Sequence, residues 1–454
     1  MTPEDKLRYM TETPLPKLVA KLSLPALVSM LITSFYNMAD TYFVGMLGSA
    51  SASGAVGVIY PYMSVLQAVG FMFGHGSGNY VSRKLGAGEN EQAERMASVG
   101  FFSAFIVGVA ISLITLAFGN PMVRWLGSTE TIAPYAREYL YYLLPGIPFL
   151  VSSLVLNNQL RFQGSAFYAM IGITSGALLN VVLDPILIFN FGMGVSGAAL
   201  ATSVSQMVGF VILLAGTRRG GNIRLSLKRF KPSGALYREV FRGGVPSLAR
   251  QGLNSLSSVC LNLAAGNYGD AAIAALSIVT RIMMMAISAV IGFGQGFQPI
   301  CGFNYGAKHY DRVRDGFWFC VKLGVGVLIV VTLLLNVFAP QIVSLFLAEN
   351  VLVQEIGAET LRYHSLLLPL FAFICLSNMM LQTMGMAWKA TLLAMARQGL
   401  FLIPAVFVME HFFQLPGIEW AQTVADLFSF LLALPLSLGV LKELKEKQEA
   451  LLQP

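Results

Sequence analysis

The sequence predicts an all-α integral membrane protein with twelve transmembrane helices in two six-helix bundles, related by a pseudo-two-fold axis along the membrane normal. The 454-residue chain is 56% hydrophobic and only 12% charged, whereas soluble domains carry about a quarter of their residues charged. Its mean hydropathy is +0.67, and many apolar stretches reach the roughly 20 residues that cross a bilayer. Several motifs also recur at a constant spacing along the chain.

Twelve apolar segments, separated by Gly, Pro or charged residues, predict the membrane spans. In chain order they cover residues 18–43, 53–80, 94–118, 134–158, 167–190, 194–216, 238–265, 271–297, 313–338, 356–384, 388–411 and 417–440. Most of the 30 Lys and Arg residues fall in the two tails, the even-numbered connections and the middle connection. The positive-inside rule therefore predicts a multi-pass protein of the plasma (inner) membrane with both termini cytoplasmic.

An internal repeat divides the chain into two halves. The stretch "VGFMFGHGSGNYVSRKLGAG" (69–88) has a partner in "IGFGQGFQPICGFNYGAK" (291–308), in which Gly294 and Gly296 stand where the first stretch has Gly74 and Gly76. Because each half holds six helices, the halves have the same orientation, which is a transporter architecture with a cavity between the repeats. We expect an N-terminal lobe over residues 1–217, a basic linker over 218–235 and a C-terminal lobe over 236–454.

Two carboxylates lie inside apolar spans of the first half. Asp40 and Asp184 fall at similar depths in the outer half of the membrane, and Tyr36 and Asn180 lie at i,i+4 spacing before them, on the same helix faces. Thr202 on the sixth span reaches a comparable level. An ionisable group at such a depth is a functional candidate by default, and this oxygen-rich set could hold Na⁺ or a proton. The alternative is that the acids only join helices or cap a helix end.

The motifs "NMADTYFVGMLG" (37–48), "LNVVLDPILIF" (179–189) and "GQGFQPICGFNYGA" (294–307) together resemble the multidrug and toxic compound extrusion (MATE) family, in its DinF-type and MepA-type branch. The resemblance covers nearly the whole chain. It implies an antiporter that exports amphiphilic, often cationic, compounds while H⁺ or Na⁺ enters.

The resemblance also implies roles for single residues. Asp40, Asn180, Asp184 and Thr202 match the family's N-terminal cation site. Asn157 is a further match, which we place in the substrate cavity. The possible metal is limited to Na⁺ at the two aspartates.

The second half does not repeat the acids, because Leu261 and Ala405 stand at the equivalent positions. It carries Arg281, Arg397 and Asp426 instead, each near mid-membrane. Opposite charges at one depth most simply pair with each other. We therefore expect one polar cluster in the C-terminal lobe, which is either structural or concerned with substrate or gating.

Other residues are assigned by their surroundings. Met63 and Met284 suit either core packing or, with Tyr36, a pliable substrate cavity. The four cysteines and four histidines show no ligand spacing, and no nucleotide-binding loop is present. The sequence thus predicts a monomer in membrane lipid that is not an enzyme and uses no cofactor, no ATP and no nucleic acid.

A different function for this fold stays open at the sequence level. A flippase for a lipid-linked precursor would need a more cationic cavity to hold pyrophosphate. The sequence offers only Arg281 and Arg397 for that purpose, which favours the exporter.

Overall fold

The computed structural model describes residues 2–345 and 351–452, and the regular elements in these ranges are all helical. The first half contains the helices α1 Pro3–Glu12, α2 Leu15–Gly45, α3 Ala50–Gly86, α4 Asn90–Trp125, α5 Ala133–Leu143, α6 Ile147–Phe162, α7 Ala166–Pro185 and α8 Val195–Gly216. The second half contains the helices α9 Gly234–Gly266, α10 Asp270–Gly306, α11 Tyr310–Val337, α12 Ala339–Ser344, α13 Val351–Leu366, α14 Leu368–Thr383, α15 Ala387–Met395 and α16 Leu402–Leu452. Single π-helical segments, Ile186–Asn190 and Ala396–Phe401, follow α7 and α15.

The helices of the described residues fit twelve membrane passes. In the part of the chain that the structure describes, nine helices are long and apolar enough to cross a membrane, and the bent pair α13–α14 adds a tenth. α9 is 33 residues long but less apolar, since it carries Arg250 and other polar side chains. The stretch Ala387–Leu452 counts as two passes because it is broken at Gln414, where φ is 57°. The predicted all-α fold is confirmed.

The N-terminal helix α1 lies outside the predicted spans. Its first turn is a capping box, in which the Thr2 hydroxyl accepts from Asp5 N at 3.1 Å and the Asp5 carboxylate accepts from Thr2 N at 3.0 Å. This reciprocal pair satisfies amides that a helix start otherwise leaves without partners. α1 is too short and too polar to stand out in the sequence as an apolar segment.

α1 contacts both halves of the molecule. The buried Lys6 Nζ donates to Ser165 Oγ at 3.1 Å and to Asn222 Oδ1 at 2.5 Å. On the other side, Asn304 Nδ2 donates to the Met10 carbonyl at 3.2 Å. The helix therefore joins the first half to the second at the membrane surface.

Equivalent side chains make equivalent bonds in the two halves. Asn157 Nδ2 donates to the Ala169 carbonyl at 3.1 Å, and Asn378 Nδ2 donates to the Ala390 carbonyl at 2.7 Å. The step along the chain from Asn157 to Asn378 equals the step from Ala169 to Ala390. α3 and α10 also have the same length, 37 residues. This correspondence is the pseudo-two-fold relation that the sequence repeat predicts.

We call the helices α2–α8 the N-lobe and α9–α16 the C-lobe, joined by residues 217–233. The membrane side that holds α1, residues 217–233 and the ends of α3, α10 and α16 is called the basic face. On this side Arg83 forms an ion pair with Glu239 at 3.2 Å and donates to the Thr383 carbonyl at 3.0 Å.

Close helix contacts hold the lobes together near the basic face. A Cβ atom at Gly76 would overlap the Val240 carbonyl, and one at Gly296 would overlap Ser23. Only glycine permits this approach. Toward the opposite face α2 and α9 carry exposed apolar side chains, including Phe35 and Leu256. The close contacts between the lobes thus lie near the basic face, and parallel repeats of this kind have their cavity at the interface between the lobes.

Candidate functional site

Asp184 lies at the end of α7, where the helix geometry changes. Pro185 follows it directly, and the next turn, Ile186–Asn190, is π-helical. Proline removes one helical hydrogen bond, and π-helical turns are frequent at functional sites. The Asp184 side chain is fully buried, with 0% of its surface exposed.

The Asn180 amide links Asp184 to α8. With Nδ2 turned toward the carboxylate, Asn180 donates to Asp184 Oδ2 at 2.9 Å and accepts from Thr202 N at 3.1 Å. The reverse orientation makes only a 3.3 Å bond to Thr202 Oγ1 and turns the amide oxygen toward the acid, so the first orientation is favoured. The i,i+4 spacing thus brings the predicted pair together.

Asp40 completes a pair of carboxylates in the N-lobe. It lies close enough to Asp184 for the two charges to interact, and Tyr36 and Tyr139 lie within the same range. One oxygen of each carboxylate, Oδ1, is buried and accepts no hydrogen bond among the described residues. Two buried acceptors without donors fit a bound proton or Na⁺. Thr202, beside Tyr36, adds a further oxygen.

Tyr139 was not among the predicted site residues. It is buried on α5, which the sequence analysis assigned only to the fourth span. It stands in the stretch "EYLYYLLPG" beside two further tyrosines, so residue type alone could not distinguish it. Its phenol gives the site a second hydroxyl besides that of Tyr36.

The predicted substrate-cavity residues lie in different parts of the structure. Asn157 uses its amide to bind the Ala169 carbonyl, and Ala169 lies about 22 Å from Asp184 along α7. Met63 packs against the N-lobe core. Met284 lines a cavity in the C-lobe. Of this set, only Tyr36 lies beside the carboxylate pair.

The C-lobe contains a buried ion pair. Arg397 Nε donates to Asp426 Oδ1 at 2.7 Å and Arg397 Nη2 donates to Asp426 Oδ2 at 3.4 Å. Gln422 Nε2 donates to Asp426 Oδ1 at 2.8 Å, and the guanidinium lies 4.5 Å from the Phe371 ring centre. Arg397 stands in the π-helical segment Ala396–Phe401. The predicted pairing of opposite charges is present for these two residues.

Arg281 belongs to the same region but not to the ion pair. It lines a C-lobe cavity of about 450 Å³ together with Arg397 and Met284. No carboxylate among the described residues forms an ion pair with Arg281. The depth of Arg281 along its helix predicted the region in which it lies. Depth along a helix does not determine the direction in which a side chain points.

Arg250 is a third arginine of this cavity, and the sequence analysis did not single it out. Its Nη1 donates to Asn378 Oδ1 at 3.4 Å, and Arg250 and Asn378 both line the cavity. The available signal was its position well inside the span predicted over 238–265. The two sites therefore differ in charge, with a carboxylate pair in the N-lobe and three guanidinium groups around the C-lobe cavity.

A bundle of twelve membrane passes in two parallel repeats, with charged sites inside each lobe and a cleft between them, defines a secondary transporter. A family model described as MatE matches residues 25–186 and again 246–408. The chain therefore belongs to the MATE family of transporters, as the motifs indicated, and is not an enzyme. The step between the starts of the two matches, from 25 to 246, equals the step from Asn157 to Asn378 in the internal repeat.

Known proteins align with almost the full length of the chain. The multidrug export protein MepA of Staphylococcus haemolyticus (strain JCSC1435) is 29% identical over 433 residues, covering 95% of each chain. MepA of Staphylococcus aureus (strain N315) is 28% identical over 425 residues, covering 93% of each.

Solved structures of the family share the fold. A crystal structure of MATE in complex with MaL6 is 26% identical, with a TM-score of 0.91 and coverage of 97% and 99% of the two chains. An outward-facing conformation of a multidrug resistance MATE family transporter gives a TM-score of 0.90 at 26% identity, covering 97% and 98%.

Proposed function

We propose that this protein is an antiporter that exports amphiphilic, often cationic, compounds while H⁺ or Na⁺ enters. The observation that carries the proposal is the Asp40–Asp184 pair, in which each carboxylate has a buried oxygen without a donor among the described residues. Relatives named as multidrug export proteins support the class of substrate.

The carboxylate pair provides a physical basis for exchange. Two ionised carboxylates close together in a poorly hydrated site repel each other strongly. A proton, a sodium ion or a cationic substrate relieves this repulsion. Because each of these neutralises the same charge, binding of one weakens binding of another. Asn180, Thr202 and Tyr36 place polar groups beside the two carboxylates. These groups remain available when the charge of the carboxylates changes.

Alternating access would use the contacts between the lobes. The glycine contacts at Gly76 and Gly296 and the Arg83–Glu239 ion pair close the cleft at the basic face. To take up substrate there, the protein must separate these contacts and close the opposite end. Since the basic face is rich in Lys and Arg, we place it in the cytoplasm, with both termini, in the plasma (inner) membrane.

A single chain provides both sides of the cleft, so we propose that the transporting unit is a monomer. In the C-lobe we assign the Arg397–Asp426 pair a structural role. Its two charges balance each other, and Gln422 satisfies an oxygen of the acid. A substrate or gating role is the alternative for this pair.

A flippase for a lipid-linked precursor is the second candidate function. The observation that favours it is the C-lobe cavity, which contains three arginines, Arg250, Arg281 and Arg397, rather than the two that the sequence analysis identified. A pyrophosphate would find guanidinium partners there.

The decisive experiment is transport by the purified chain in proteoliposomes. An imposed pH gradient and an imposed Na⁺ gradient are tested separately with a fluorescent lipophilic cation, and a fluorescent lipid-pyrophosphate analogue is tested in parallel. Gradient-dependent cation movement supports the antiporter and identifies the ion. Movement of the lipid analogue alone, without any dependence on either gradient, would replace the antiporter with the flippase.

A further inference from the structure

The C-lobe cavity contains positive charge that the protein itself does not neutralise. Of its three arginines, Arg397 is paired with Asp426. Arg250 has a neutral partner, Asn378, at 3.4 Å, and no acid of the described chain pairs with Arg281. Two guanidinium groups thus face one cavity without a carboxylate from the described residues.

The fold does not require these charges. At the repeat spacing Arg250 corresponds to Ser29, and Arg281 falls at Tyr60–Pro61, so the N-lobe has the same helices with uncharged residues at these positions. Arg250 is half-buried and Arg281 is exposed where it lines the cavity. Both guanidinium groups are therefore dispensable for the fold, lack an acidic partner and are accessible to a ligand of opposite charge.

The rest of the cavity limits the size and character of that ligand. Its volume of about 450 Å³ is in the range of small-molecule sites, which is roughly 300–1,000 Å³. The walls near Arg281 include Met283, Met284 and Ile287, whereas Asn254 and Gln398 contribute amides. Such a site suits a molecule with one acidic group and an apolar body.

We propose that the C-lobe cavity binds amphiphilic organic anions, with Arg250 and Arg281 holding a carboxylate, sulfonate or phosphate group. Guanidinium groups bind such oxyanions through two parallel hydrogen bonds. The apolar body would pack against Met284 and its neighbours. This site is additional to the carboxylate pair of the N-lobe and selects the opposite charge, so it extends the proposed range of ligands beyond cations.

A matched pair of probes tests the charge requirement. The full chain in dodecyl maltoside is titrated with dansylglycine, which carries a carboxylate, and with dansylglycinamide, which is neutral, against protein-free micelles. We expect the carboxylate probe to bind at least tenfold more tightly. Equal affinity of the two probes, or no binding of dansylglycine, would overturn the proposal.

Variants locate the binding in the cavity. Arg250→Gln and Arg281→Gln should each weaken dansylglycine binding at least tenfold, with little effect on the amide probe. Arg238→Gln is the matched control, because Arg238 is an exposed arginine of the same helix as Arg250 near the basic face. Affinities of the cavity variants that equal the control would refute the site.

Stability separates a ligand role from a structural one. Removing a charge that has no acidic partner should leave the thermal stability of ligand-free Arg250→Gln unchanged or raised. A marked fall in its melting temperature, with weaker binding of both probes, would instead mean that Arg250 holds the lobe together. Since no gradient is used, the result does not depend on whether the antiporter proposal holds.

The anion could come from solution or from the bilayer. Dansylglycine binding is therefore repeated in nanodiscs of phosphatidylcholine and of phosphatidylglycerol. Loss of binding only in phosphatidylglycerol assigns the site to acidic lipid headgroups. Equal binding in both assigns it to soluble amphiphiles. Either result supports an oxyanion site when the arginine variants abolish it.

Discussion

The N-lobe and the C-lobe are related by the internal repeat but differ in the charge of their polar sites. Asn157 and Asn378 make the same bond to the start of the following helix. Yet the N-lobe contains the Asp40–Asp184 pair, whereas the C-lobe cavity is lined by three arginines, of which one is paired with an aspartate. The repeat thus maintains the scaffold, while polar residues inside each lobe are free to diverge.

The largest effect is expected at the N-lobe acids. Asp184→Asn removes the charge that a proton or Na⁺ would neutralise, but nearly preserves volume and hydrogen bonding. Gradient-driven export should fall to background, with expression and melting temperature close to the wild type, and Asp40→Asn should act similarly. If Asp184→Asn shows full gradient-driven export and normal stability, the coupling hypothesis is wrong and Asp184 only joins helices. Efflux from proteoliposomes and thermal unfolding are the measurements.

Substitutions of glycine on either side of the contact between the lobes should reduce export to a similar extent. Gly76→Ala and Gly296→Ala each place a methyl group against the opposite lobe, at Val240 and Ser23 respectively. Closure at the basic face should be hindered and export reduced at least tenfold in both variants. Gly57→Ala is the matched control, since a Cβ there meets no atom within 4 Å. If export falls in only one of the two variants, the two glycine contacts do not contribute equally to closing the basic face.

The charge in the C-lobe should matter for stability rather than for coupling. Asp426→Asn leaves the Arg397 guanidinium without its counter-charge, which typically costs about 3–5 kcal/mol. The melting temperature should fall clearly, and the double change Arg397→Met with Asp426→Leu should recover most of the loss. An Asp426→Asn protein of normal stability but without export would instead assign the pair to gating or substrate binding.

The contact of α1 with the N-lobe should depend on pH. Burial lowers the pKa of Lys6 from 10.5 to about 7, because its ammonium loses water and has only neutral partners, Ser165 and Asn222. Between pH 7 and pH 10.5 the Lys6 amine is protonated in the unfolded chain but not in the folded chain. The free energy of unfolding therefore rises with pH by at most about 1.4 kcal/mol per pH unit. Below pH 7 both states carry the proton and the contribution is constant.

Thermal unfolding from pH 6 to pH 9 measures this contribution. Lys6→Gln keeps a donor for Asn222 but cannot titrate, so the difference between the two proteins should change only above pH 7. Parallel pH profiles of Lys6→Gln and the wild type would contradict the prediction.

The smallest effect is expected at a backbone position that the lobes share. Gly194 and Gln414 have almost the same conformation, with φ/ψ of 59°/−132° and 57°/−138°. Glycine tolerates it, whereas a residue with a side chain is strained by about 1–3 kcal/mol. Gln414→Gly should therefore raise the melting temperature slightly, and Gly194→Gln should lower it. A change of opposite sign at either position would argue against equivalent strain.

The sequence predicts the scaffold well, because span length, basic connections and a repeat of constant spacing all describe the same twelve passes. It also brings Asn180, Asp184 and Thr202 together, since i,i+4 spacing and depth fix neighbours on α7 and α8. Depth alone does not fix the direction in which a helix faces. For this reason Arg281 lies beside the Arg397–Asp426 pair rather than in it.

Arg250 and Tyr139 show a second limit. Arg250 lies in the least apolar span, where it is one of several polar residues and is not distinctive. Tyr139 is one of three neighbouring tyrosines. Their importance arises from side chains of distant helices that converge on the same space. Such convergence depends on how the helices pack, which is not visible in the spacing of residues along one helix.

The connection of residues 217–233 has an evolutionary consequence. A half-length ancestor with this orientation could assemble only as a two-fold homodimer, and every mutation would then appear in both subunits at once. In such a dimer an aspartate at the position of Asp184 would occur twice, on both sides of the axis. Joining the two halves in one chain through a surface connection removes that restriction. After it, one half could acquire acids while the other acquired arginines.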